Sequence, residues 1–263
     1  MPSSKQEIMA EIVRCGKDPA FFCKKYAKIS HPMRGSIPFD LYDFQEKALH
    51  DFKVNRFSVI LKARQLGIST TVAAYVCWLM LFAKDKNVLV VATKLGTAAN
   101  LVKKIKAIHK NLPAWLKISD IAVDNRNSFE LTNGSQVKAS STSGDAGRSE
   151  ALSLLVIDEA AFVDGIDELW AGLYPTLSTG GRCIALSTPN GVGNWFHKTY
   201  TEAQENKNDF HTIRLPWNVH PERNQAWFEK ETRNMSRREI AQELECNFNA
   251  SGDTVVHGDD LKK

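Results

Sequence analysis

Four short runs constrain this chain more than any other feature: VILKA (59–63), VLVVA (88–92), LLVID (154–158) and CIALS (183–187). Each is apolar almost without interruption, so none shows the alternation of a strand with one wet face. Strands of this kind are buried on both faces, as in a mostly parallel sheet covered by crossover helices. Helical patterns follow each of them, at 69–82, 95–112, 166–177 and 194–207. SFELTN and SQVKAS flank Asn133-Gly134, a hairpin signal, and a last strand spans 209–215 ahead of charged helices over 221–246. Upstream, helices are expected at 4–15, from Pro19 to about Ile29, and at 43–54, with SHPMRGSIPF (30–39) as a connector. The expected fold class is α/β, and ligands on such sheets bind outside the carboxyl ends of the strands.

Composition narrows the setting. Hydrophobic residues make up 43% and charged residues 24%, ordinary for a soluble globular chain of 263 residues. A net charge of +4 permits an acidic partner without arguing for one. The five cysteines, Cys15, Cys23, Cys77, Cys183 and Cys246, include no C-x-x-C pair, which fits a reducing cytoplasm better than a disulfide framework. No histidine spacing suggests a transition-metal site. The run Val72–Ala83 is too short to span a bilayer and reads as a buried helix, and the polar amino terminus does not resemble a signal peptide.

The first strand runs into LKARQLGIST (61–70), where a phosphate-gripping loop belongs. The usual pattern is G-x-x-x-x-G-K-[ST]. Gly67 and Ser69 fit its second glycine and its hydroxyl, but Ile68 stands where the lysine belongs and Lys62 where the first glycine belongs. Backbone N–H groups at the start of the next helix would face phosphates, and Ser69 offers a hydroxyl for Mg²⁺. Lys62, at the loop's opening, and Arg64 are the two candidates for the displaced cation. A glycine and a serine also occur in ordinary strand–turn–helix connections, so support is needed elsewhere. LSLLVIDEAAF supplies it: Asp158, at a buried strand tip, suits orientation of Mg²⁺, and Glu159 suits polarisation of an attacking water. Strand alternation is expected to aim the two carboxylates apart. Together the two motifs point to nucleotide hydrolysis.

Four motifs occur in order: Y-D-F-Q (42–45), K-A-R-Q-L-G-I-S-T (62–70), V-I-D-E-A-A-F (156–162) and A-L-S-T-P-N-G (185–191). As a set, spanning roughly 40–248, they resemble the ATPase domain of the large terminase subunit of tailed phages. The resemblance implies a P-loop NTPase of the additional-strand, catalytic-glutamate type, with ATP as substrate and Mg²⁺ as cofactor. It implies that Tyr42 and Gln45 contact adenine and that Lys62, Arg64, Gln65, Leu66, Gly67, Ile68, Ser69 and Thr70 hold the nucleotide. Ser69 and Asp158 would hold the metal, and Glu159 would act as the base. Ser187, Thr188, Pro189 and Asn190 would couple the γ-phosphate state to movement. Arg64, within its own site, and Arg148, reaching a neighbour's, are the two candidates for the transition-state arginine.

The implied work is translocation of double-stranded DNA into a procapsid in the host cytoplasm. A five-membered homo-oligomeric ring on a portal protein is implied, with a small terminase subunit as partner, no membrane, and a monomer when the chain is isolated. The expected organisation is a helical segment over 1–40, lying against the nucleotide site, an ATPase domain over 41–248, and a tail over 249–263 towards an absent nuclease domain. Asp253, Asp259 and Asp260 in that tail carry no expected nuclease role. KKIK (103–106), Arg233, Arg237 and Arg238 are candidate DNA contacts, and Trp115, Trp170, Trp195, Trp217 and Trp227 are expected to pack rather than stack on bases. A helicase-like ATPase and a non-hydrolysing nucleotide-binding module are the alternatives. Helicases of this class carry arginine motifs on a second domain, for which the chain leaves no room.

Overall fold

The computed structural model describes residues 2, 4–31, 33–141 and 150–252. Ser4 caps α1 (Lys5–Lys17) through a reciprocal pair with Glu7, and Asp18 caps α2 (Pro19–Tyr26) through the N–H groups of Ala20 and Phe21. The second helix does not reach Ile29 as its pattern predicts. It stops at Tyr26, because β1 (Lys28–His31) pairs antiparallel with β2 (Gly35–Pro38), a hairpin that takes in the end of the expected helix and most of the expected connector. Helix α3 (Asp43–Val54) leads to β3 (Phe57–Lys62), α4 (Ile68–Phe82), β4 (Asn87–Val91) and α5 (Leu95–Lys110). A meander follows, β5 (Ile121–Asn125), β6 (Ser128–Leu131) and β7 (Gln136–Ser140). Then come β8 (Leu154–Asp158), α6 (Ile166–Leu173), β9 (Arg182–Ser187), α7 (Trp195–Gln204) and β10 (Phe210–Leu215), and last α8 (Gln225–Glu231), α9 (Arg237–Glu243) and α10 (Phe248–Ser251).

The eight-stranded sheet has the order β10-β3-β9-β8-β4-β7-β6-β5. Pairing is parallel from β10 through β7 and antiparallel only where β6 and β5 extend the edge. The apolar runs therefore do what their composition requires, and every residue of β8 is buried. Helix α4 is buried on nearly all sides, as its unbroken apolar pattern demands.

The segment expected as a separate helical part shares this core. Cys15, Phe22, Cys23, Tyr26 and Phe39 belong to one cluster with the strands. Trp78 Nε1 donates to Cys15 O at 2.8 Å, and Phe22 meets Phe82 edge-on at 5.7 Å. Those contacts fall on the last turns of α4, the end remote from the 63–67 loop. The segment braces the scaffold there. Among the tryptophans, Trp170 and Trp195 pack with Phe57 and Phe210, Trp115 with Tyr26, and Trp217 with Trp227 and Phe228. Among the described residues no helix is long and apolar enough to cross a membrane.

Candidate functional site

Because β3, β4, β8 and β9 are parallel neighbours, their carboxyl ends fall along one edge of the sheet. That edge brings together Lys62, Thr93, Asp158–Glu159 and Ser187–Asn190, each at or just past a strand end.

The loop from Ala63 to Gly67 opens α4. Gly67 has φ +73°, and a Cβ there would lie 2.7 Å from Gln45 Nε2, so glycine is required twice over. Gln65 also takes a left-handed conformation, φ +56°. Turns of this kind gather successive N–H groups into an anion-binding concavity. Ala63 N donates to Leu215 O and Arg64 N to Glu243 O, while Thr70 N and Thr71 N bond back to Gly67 O. Between them the N–H groups of Gln65, Leu66, Gly67, Ile68 and Ser69 find no acceptor among the described residues. Leu66 and Ile68 are buried, and backbone donors in such places are nearly always paired. The loop thus presents a run of donors for which the described residues supply no acceptor.

Lys62 is half-buried, and its side chain forms no ion pair or hydrogen bond among the described residues. Desolvation lowers its pKa, opposed by the charges of Asp158 and then Glu159. Asp158 is buried with its pKa raised by desolvation, opposed first by the charge of Lys62 and then by the nearby Ser69 side chain. The cation of β3, the carboxylate of β8 and the hydroxyl of α4 therefore face one space.

Glu159 separates from Asp158 by a route that strand alternation does not give. β8 ends at Asp158, and Glu159 sits at φ +56°, an uncommon conformation for glutamate. Its exposed carboxylate accepts a hydrogen bond from Thr93 Oγ1 at 2.9 Å, and its N–H donates to Asp158 Oδ1 at 3.0 Å. The next turn is gripped from β9: Ala161 N donates to Ser187 Oγ at 3.1 Å, and Asn190 Nδ2 donates to Ala161 O at 3.2 Å. Thr188 and Pro189 are buried alongside.

The expected adenine contacts look different in place. Gln45 is 3% exposed, its Oε1 accepting from Tyr42 N and its Nε2 donating to Leu66 O at 3.0 Å. In this structure it is a strut beneath the loop, not an open reader of a base. The Tyr42 ring is half-buried, stacked on Phe44 at 5.7 Å and lying 4.4 Å from His220, and its hydroxyl donates to Glu222 Oε1 at 3.4 Å. Arg64 is mostly exposed, with Nε 2.9 Å from a Glu243 carboxylate oxygen of α9. Arg148 and Asp253, Asp259 and Asp260 lie outside the described residues.

Sequence reasoning missed Thr93, Glu243, His220 and Arg223. Thr93 alone had a signal, its place at the end of an apolar strand. Gly67→Ala should lower unfolding stability by about 1 kcal/mol through the left-handed strain and weaken phosphate binding several-fold by displacing Gln45. A double-mutant cycle with Gln45→Ala checks this, and additive effects would refute the coupling.

A glycine-turned loop between a buried strand and helix, facing a second strand tipped with Asp-Glu, defines an α/β domain of the P-loop fold. The chain matches the family described as "Terminase large subunit, T4likevirus-type, N-terminal" over residues 59–263, and it belongs to that family. The protein described as "Probable terminase, large subunit gp28" of Escherichia phage Mu is 32% identical over 109 residues, covering 34% of this chain and 19% of that protein. The chain thus spans less than a fifth of that relative's length. Among solved structures, the large terminase ATPase domain of Thermus phage P74-26 aligns with TM-score 0.63 and 20% identity, covering 80% of this chain and 94% of the other. The large terminase of another thermophilic bacteriophage, solved in complex with ADP, aligns with TM-score 0.61 and 13% identity, covering 77% and 52%. At these identities the likeness is one of fold.

Proposed function

We propose that this chain binds ATP with Mg²⁺, hydrolyses it, and uses the cycle to drive double-stranded DNA into a procapsid. The run of unpaired N–H groups from Gln65 to Ser69 carries the reading, since a polyphosphate supplies the acceptors that the protein does not. Family membership and the ADP bound in the second of those terminase structures support it.

In this reading Lys62 takes the part of the lysine displaced from position 68 and grips the outer phosphates. Ser69 and Asp158 offer only oxygen donors, and no larger metal-binding cluster exists among the described residues. That set suits Mg²⁺, which takes few protein ligands and completes its shell with phosphate oxygens and water. When bound, the ion would neutralise charge on the phosphates. Glu159, oriented by Thr93, takes a proton from the attacking water. Ser187 and Asn190 hold the turn that follows Glu159, and through it they sense whether the γ-phosphate is present. Arg64 serves as a transition-state cation once it leaves Glu243, and Arg148 is the competing candidate. Assembly as a five-membered ring on a portal, with a small terminase subunit and in the host cytoplasm, completes the proposal.

Calorimetry on the isolated chain tests it without requiring a ring. ATP with Mg²⁺ should bind in the range from about 1 μM to 1 mM usual for enzyme substrates, and chelation of Mg²⁺ should weaken binding. No heat at millimolar ATP would sink the nucleotide-site reading. Binding without turnover, even with DNA and portal present, would favour a non-hydrolysing module.

A further inference from the structure

Three successive carbonyls of the loop are each held by a side chain. Arg223 Nη1 donates to Arg64 O at 3.1 Å and Nη2 to Gln65 O at 2.9 Å, and Gln45 Nε2 donates to Leu66 O at 3.0 Å. In a planar trans peptide the carbonyl and the following N–H point in opposite directions. Fixing these carbonyls therefore fixes the N–H groups of Gln65, Leu66 and Gly67 on the opposite side of each peptide. Those are among the donors left without acceptors.

Arg223 lies far from the loop in sequence, in the turn before α8. Its Cζ sits 4.6 Å above the Trp227 ring, which stacks on Trp217 at 5.9 Å. Trp217 N in turn donates to Leu244 O at 2.9 Å, next to Glu243, whose own carbonyl accepts from Arg64 N at 2.8 Å. The guanidinium has no carboxylate partner within ion-pair distance among the described residues, so its fork is committed to the two carbonyls. A planar fork reaches two oxygens in fixed directions, whereas an ammonium is a point charge without that directionality.

We infer that Arg223 is a positioning residue that sets the phosphate loop in its polyphosphate-binding shape, acting through the backbone and not by touching the nucleotide. The inference rests on the proposed nucleotide site. It reaches beyond that site by making the 216–244 segment part of the loop's geometry.

Two ligands separate the possibilities: ATP, and inorganic tripolyphosphate, which offers phosphates without a base or ribose. Arg223→Gln should weaken both at least tenfold, and the milder Arg223→Lys should weaken both by less. Hydrogen exchange at the 65–69 amides of the ligand-free chain should quicken in both variants, with the circular dichroism spectrum unchanged. Loss of ATP binding with tripolyphosphate unaffected would place Arg223 on the base or ribose and overturn the inference. Unchanged affinity for both ligands would overturn it as well. If the parent chain binds neither ligand, the nucleotide reading fails first. The exchange result then decides separately, because equal rates in parent and variants leave no positioning role.

Discussion

Glu159→Gln should lower ATP turnover by about a hundredfold to ten-thousandfold, the range that positioned general bases contribute, while nucleotide affinity stays within about twofold of the parent. Glutamine keeps the side-chain volume and an oxygen to accept from Thr93 Oγ1, so the turn around residue 159 should hold. It cannot take a proton from water. Lys62, Asp158 and Ser69 are untouched, so binding of nucleotide and metal should survive. The backbone sharpens the expectation. A glutamate held at φ +56° costs conformational energy that an exposed residue without a task would avoid by relaxing. Here the strain carries the carboxylate off the strand axis and towards the end of β4. Single-turnover kinetics with assembled subunits reads the chemical step directly. Persistence of turnover in Glu159→Gln would move the role of base elsewhere. A loss of affinity equal to the loss of rate would mean that Glu159 serves ground-state binding.

The parts that were legible in the sequence are those whose physics is local. Buried parallel strands must be apolar throughout, so VILKA, VLVVA, LLVID and CIALS announced both the sheet and the edge on which the candidate residues gather. The Asn133-Gly134 turn announced the β6–β7 hairpin, because Gly134 has to adopt φ +82°. β5 escaped notice for the opposite reason: all its residues are exposed at the sheet edge, so it shows no burial pattern. The β1–β2 hairpin escaped because each strand is only four residues long and half-exposed.

The site divides in the same way. Lys62, Ser69 and Asp158–Glu159 sit at strand ends and helix starts, where spacing and residue type betray them. Gln45 illustrates the limit. Its position at the start of α3 was visible, but its bond to Leu66 O, across 21 residues, depends on how α3 lies against the loop. Arg223 is an extreme case, for nothing near it in sequence indicates two carbonyls 158 and 159 residues away.

The second large effect follows from how Lys62 and Asp158 face each other. Desolvation lowers the lysine's pKa and raises the aspartate's, so for each group burial outweighs their mutual attraction. Desolvated charges without a close ion-pair contact cost stability, and exchanging buried ionic groups for neutral ones of similar size often stabilises by about 1–4 kcal/mol. In chelator, the double variant Lys62→Met/Asp158→Asn should therefore unfold at higher urea than the parent. Lys62→Met alone should gain less, since it leaves the buried carboxylate without its opposing charge. The sign with pH agrees. Between the lowered folded pKa of Lys62 and its ordinary 10.5, the unfolded chain binds more protons, so parent stability rises with pH across that window. Lys62→Met should flatten that rise. Turnover should fall by about a hundredfold to a thousandfold, the scale of losing one pre-organised donor at a developing charge. Stability gained as activity is lost would mark Lys62 as a phosphate ligand held in readiness at a cost to the fold. If Lys62→Met loses stability and turnover together, the lysine is a structural strut of the sheet edge, and Arg64 is left as the cation that replaces the one missing at Ile68.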